Sequence, residues 1–176
     1  MHLTLREFWT VIHGMALGAI FLLAFAGGFA GLWSLRPEWI TTAGIRERVG
    51  RLVCGTWIMA ITAWLTVITG TWIVYPWYRA PAPEGADLSD YPRNFLLADP
   101  NLAEWHKFGM EWKEHVAWLA PILATAVAFV VLRYGVQLAN EPRLRRAMLV
   151  FFSLAFLCAA VAGLFGAFIT KAAPIL

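Results

Sequence analysis

Four apolar runs, at about 8–33, 53–75, 115–132 and 148–170, alternate with three polar connections along the chain. None of the runs holds an Asp, Glu, Lys or Arg between its ends. A helix needs about 20 residues to cross a hydrocarbon layer of ~30 Å. The pattern therefore predicts an all-α integral membrane protein, a four-helix bundle that forms one membrane domain over 1–176. The segment 76–114 is expected to lie outside the membrane and to hold a short helix from about 100. Composition agrees, since 60% of the 176 residues are hydrophobic and only 14% charged, against about 25% charged in soluble domains. Mean hydropathy is +0.64.

The first run resembles a secretory signal, with Arg6 before it and Ala24-Phe25-Ala26 inside it. Its apolar character continues to Trp33, so it is read as a retained helix. The two cysteines are expected at different depths, Cys54 at the start of the second run and Cys158 near the middle of the fourth. That excludes a disulfide framework.

Charge changes the picture through its distribution. The first connection holds Arg36, Arg46, Arg48 and Arg51, and the third holds Arg133, Arg143, Arg145 and Arg146. The second carries Arg79, Arg93, Lys107 and Lys113 against Glu84, Asp87, Asp90, Asp99, Glu104, Glu111 and Glu114. Short basic loops stay cytoplasmic, so both termini and the acidic segment are expected on the non-cytoplasmic side of a bacterial-type inner membrane. The formal net charge of +3 is then a topology signal and not a nucleic-acid footprint.

Small-residue spacings suit close helix approach in lipid. They are Gly14-x-x-x-Gly18, Gly27-x-x-x-Gly31 and Ala159-x-x-x-Gly163 followed by Gly166. Thr62, Thr66 and Thr69 share one face of the second run. Trp9, Trp33, Trp39, Trp72, Trp77, Trp105, Trp112 and Trp118 collect near run ends as an interfacial belt. Asp99-Pro100 reads as a helix cap with proline in the first turn, and Pro121 is expected to kink the third run.

The histidines His2, His13, His106 and His115 all fall on the expected outer side. His106 and His115 are nine residues apart, half a turn out of phase on a continuous helix. Trp105, Phe108, Trp112, His115 and Leu119 form an apolar stripe expected to face the bundle, while His106 is expected on a wet face. His13, beside the bare strip of Gly14 and Gly18, and His115 are thus the inward candidates, at comparable depth. Two such imidazoles suit axial ligation of a haem iron. A hydrogen-bonded pair without cofactor is the plainer account. A copper or zinc site from His13, His106 and His115 with Glu111 or Glu114 is a further alternative.

Four spans with inward histidines on the first and third resemble small membrane b-type cytochromes, which anchor peripheral dehydrogenases or serve as subunits of respiratory and photosynthetic complexes. The resemblance is architectural and rests on His13-Gly14 and His115. It implies one haem b near the outer face, held by His13 and His115, with a quinone as a possible partner beside Tyr75, Tyr78 and the tryptophans. It also implies other membrane subunits, lipid, and a periplasmic redox protein docked on 76–114. The absence of a cytoplasmic-side histidine speaks against a second haem. The runs also lack an embedded carboxylate or lysine, which speaks against a proton relay. The alternative is a cofactor-free structural subunit of a larger complex. The arginine distribution predicts that a reporter enzyme active only outside the cytoplasm works when fused after Leu176 and is silent when inserted between Arg36 and Arg51. The reverse pattern overturns the orientation.

Overall fold

A computed structural model describes residues 3–173, and it is all-α, with no strand among the described residues. His2 lies outside the described residues. Four helices are long and apolar enough to cross a membrane: Leu5–Ser34, Thr42–Tyr78, Trp105–Tyr134 and Pro142–Ala172. The chain is a multi-pass membrane protein. Each helix outruns its apolar run, because a helix closes its own backbone hydrogen bonds whether lipid or water surrounds it. The third begins ten residues before the expected position 115, so His106, Glu111, Lys113 and Glu114 belong to a crossing helix. The expectation of no lysine or carboxylate within the crossing segments is corrected by that extension.

Local signals explain the helix ends. Thr4 and Glu7 form a reciprocal capping box at the first helix, and Thr41 Oγ1 accepts from the Gly44 N–H at the second. Pro92 opens the short helix Pro92–Ala98. Asp99 does accept the Asn101 N–H, at 2.8 Å, ahead of a turn that leads into the third long helix. The connection between the second and third helices turns at Gly85, whose φ of 74° favours a residue without Cβ.

Three wide, π-helical turns interrupt the α-pattern, at Ile12–Ala16, Gly70–Val74 and Trp105–Met110. Pro76 accounts for one of them. It cannot donate to the Trp72 carbonyl, and the Tyr75 N–H reaches back five residues to Gly70 instead. Pro121 likewise leaves the Ala117 carbonyl without its usual donor, and the helix loosens over 116–118, where the Ala117 N–H bonds the Trp112 carbonyl. The helix is thus loosened just upstream of the Pro121 ring.

The described chain divides into two compact units. The second comprises 19–64 and 119–158. At its centre Phe152, Leu32, Leu35, Met59 and Val131 are fully enclosed. Phe25 stacks on Phe156 with centroids 4.0 Å apart. A Cβ on Gly28 would lie 2.7 Å from the Phe152 ring, one on Gly31 3.0 Å from Leu52, and one on Gly135 2.5 Å from Val49. These three glycines therefore admit neighbouring side chains. Arg145 fastens one end of this unit by donating to the carbonyls of Leu35, Leu138 and Ala139 at 2.9–3.0 Å. Trp33 and Trp39 both receive the Arg36 guanidinium on their faces, at 4.8 and 4.5 Å.

The first unit comprises the described residues of 3–18, 65–118 and 159–173. Its apolar centre is Tyr78, Leu96, Met110, Ile169 and Ala173, flanked by Tyr75, Phe95, Leu102 and Trp105. The short helix Pro92–Ala98 thus inserts Leu96 beneath the polar residues described below. Gly28 and Gly27 make a matched test of packing. Gly28→Ala is expected to cost about 1–3 kcal/mol, because the enclosed Phe152 ring has no room to retreat. Gly27→Ala, where a Cβ meets nothing within 4 Å, is expected to leave thermal unfolding in detergent unchanged. Equal midpoints for the two variants would contradict this packing.

Candidate functional site

Three histidines, His13, His106 and His115, belong to the first unit. His13 is half-buried, its Nδ1 3.1 Å from Thr69 Oγ1. Thr69 Oγ1 also lies 2.8 Å from the Leu65 carbonyl and 3.2 Å from that of Thr66, so when its proton goes to either, the imidazole is the donor to Thr69. The ring fills a notch at Gly70, where a Cβ would fall 2.7 Å from His13 Cε1. Two wide turns make this fit, since His13 lies in one and Gly70 begins the other. Such turns occur frequently at functional sites.

His106 is buried, and its Nδ1 lies 2.9 Å from the Tyr78 hydroxyl, itself buried. The Arg79 and Arg93 guanidiniums both act electrostatically on this pair. Beside it, Arg79 donates to both oxygens of Glu114, at 2.9 and 3.1 Å, and lies 3.9 Å from Glu111. Arg79 also sits 5.0 Å over the Tyr75 ring. Burial draws the Arg79 pKa down, but the bond and charge of Glu114 outweigh it and leave it above the ordinary guanidinium value. A doubly bonded, partly buried pair of this kind fixes the second helix to the third.

Four buried polar atoms in this unit have no partner: Arg79 Nε, Arg93 Nε, Asn94 Oδ1 and Trp112 Nε1. Three are donors. Buried donors without acceptors are uncommon in folded chains, and each costs about 1–3 kcal/mol if left so.

The arrangement reverses two expectations. His115 is not inward. Its side chain is 72% exposed, and Nδ1 is held by the Glu111 carbonyl at 2.9 Å and lies 3.5 Å from the Glu111 carboxylate. His106, expected to be wet, is the enclosed imidazole. The stripe built from Trp105, Phe108, Trp112, His115 and Leu119 does not face the core as a whole, since Trp105 packs beside the apolar centre while Phe108, His115 and Leu119 are exposed. The interior face runs through Ala103, His106, Met110, Ala120, Ala124, Val127 and Val131. Apolarity points inward only in water. Beside lipid, large apolar side chains gain nothing by turning in, and small or polar ones take the interior. The spacing of small and polar residues was the signal available for His106.

Gly14 and Gly18 have open space where Cβ atoms would be, with nothing within 4 Å among the described residues. A haem sandwiched by His13 and His115 does not fit these residues, because one imidazole fills the Gly70 notch and the other is exposed. The copper or zinc alternative meets a similar obstacle, since no three His, Cys, Asp or Glu side chains converge among the described residues. No family model, curated protein or solved structure matches the chain. The notch gives a direct test. Gly70→Ala is expected to destabilise the protein by about 1–3 kcal/mol, and His13→Ala added to it is expected to recover at least part of that loss. Strict additivity in the double-mutant cycle contradicts the contact.

Proposed function

We propose that the chain is the membrane subunit of an electron-transfer complex, and that its own contribution is a hydrogen-bonding site for a quinone headgroup at Tyr78 and His106. The observation that carries this reading is the buried Tyr78–His106 pair, flanked by two arginines whose Nε atoms lack acceptors. A quinone presents carbonyl oxygens, which are acceptors, and buried donors without acceptors select such a ligand. A phenol and an imidazole in contact can exchange a proton when the headgroup is reduced or oxidised. Glu114, tied to Arg79, holds that edge of the site in position. Electrons would come from, or go to, a redox centre on another subunit, consistent with docking on the acidic segment between the second and third helices. No step is assigned to haem.

The second reading is a cofactor-free structural subunit. Large apolar side chains are exposed on all four long helices, among them Leu23, Trp72, Phe129 and Leu164. These require lipid or neighbouring subunits as cover. On that reading the polar cluster only stitches helices together.

Trp105 and Trp112 lie in the same helix as His106, and their fluorescence separates the two readings. A short-chain quinone analogue added to the purified chain in detergent is expected to quench emission saturably. Tyr78→Phe and His106→Leu are each expected to weaken that binding by about tenfold, equal to about 1.4 kcal/mol, with helicity retained. Quenching that never saturates, or that is unchanged in both variants, supports the structural subunit instead. A b-type band in the reduced-minus-oxidised spectrum, lost in both His13→Ala and His115→Ala, would restore the haem reading.

A further inference from the structure

Lys113 is the one lysine that the third crossing helix directs at another helix within its unit: a Cβ on Gly166 would fall 2.6 Å from Lys113 Nζ. Among the described residues no carboxylate lies within 4.0 Å of that ammonium. Its neighbour Glu114 is committed to Arg79, which bonds both of its oxygens. The titratable group that faces it from the first helix is His13, whose Nδ1 lies 3.1 Å from Thr69 Oγ1. Lys113 is therefore a cation in a crossing segment without a counter-charge from its own unit. Such a charge is costly in a bilayer unless it is compensated.

Depth and surroundings indicate what compensates it. Lys113 is eight residues into the 30-residue helix Trp105–Tyr134, roughly 12 Å along it at about 1.5 Å per residue. That helix is ~45 Å long against a hydrocarbon layer of ~30 Å. The headgroup boundary thus falls within reach of a lysine stem. Aromatic rings line the approach. Trp105 meets Phe168, and Phe108 and Trp112 both meet Phe165. Phe108 and Phe168 are exposed, and Gly163 has open space where a Cβ would stand. The cation is thus bordered by an uncovered apolar wall, the surroundings of a phosphate with acyl chains attached.

We propose that Lys113, seated at Gly166, binds the phosphate of an acidic phospholipid, whose chains lie along the Phe108–Phe165–Phe168 wall. This site is independent of the quinone reading, since neither Tyr78 nor His106 takes part.

The test uses the full chain in nanodiscs of phosphatidylcholine with or without phosphatidylglycerol, with retained lipid measured by native mass spectrometry. Phosphatidylglycerol is expected to remain bound through detergent extraction and to raise the unfolding midpoint. Lys113→Met is expected to reduce that retention about tenfold, and Lys113→Arg to keep it. Gly166→Ala, which retains the charge but displaces the ammonium, is expected to reduce retention as Lys113→Met does, and it serves if Lys113→Met fails to fold. Lys107→Met, at an exposed lysine paired with Glu104, is expected to match the parent. Equal retention in the Lys113→Met and Lys107→Met variants overturns the site. Stabilisation by inorganic phosphate as large as by the lipid overturns the lipid assignment.

Discussion

A helix that crosses a bilayer meets, on its outside, a medium as apolar as the protein interior. Burial of large hydrophobic side chains therefore does not decide which face turns inward, as it does in water. Size and polarity decide. The interior of the third long helix is drawn from His106, Met110, Ala120 and Ala124, whereas Phe108, Leu119, Phe129 and Leu132 remain outside. The glycines follow the same rule. Gly28, Gly31 and Gly135 admit neighbouring side chains. Polar side chains brought inside must then find partners there. Thr56 bonds the Leu52 carbonyl, Trp64 bonds Thr125, and Arg145 gathers three carbonyls.

This constraint accounts for what the residue pattern discloses and what it hides. The number and identity of the crossing helices are legible, because a charge-free run of about 20 residues has few other uses. Their ends are not. Arg46, Arg48, Arg51, Lys113 and Glu114 read as connection, yet a helix continues through them because its backbone ladder is indifferent to the side chains' solvent. Pro76 and Pro121 mark irregular turns for a reason visible in the chain. Nothing comparable marks the wide turn at Ile12–Ala16.

The candidate site was half legible for the same reason. His13 is a polar group in a crossing helix, but the glycine that receives it is Gly70 on the next helix, not Gly14 beside it. His115 and His106 exchanged roles once the rule for water was replaced by the rule for lipid. Tyr78 and Arg79 are close in sequence to the expected end of the second run. Their partners His106 and Glu114 lie 28 and 35 residues away, a separation that no local pattern encodes. The orphaned donors on Arg79, Arg93 and Trp112 depend on the same long-range folding.

The three wide turns carry a consequence for kinship. Each is a helix that has absorbed one surplus residue, and every side chain beyond it is rotated by about 100° from where an unbroken helix would put it. A cousin of this chain that lacked the surplus residue would need an alignment gap in the middle of an apolar run, where gaps are seldom sought. Ancestry traced through such a chain would then pair His13 or His106 with residues on a different face.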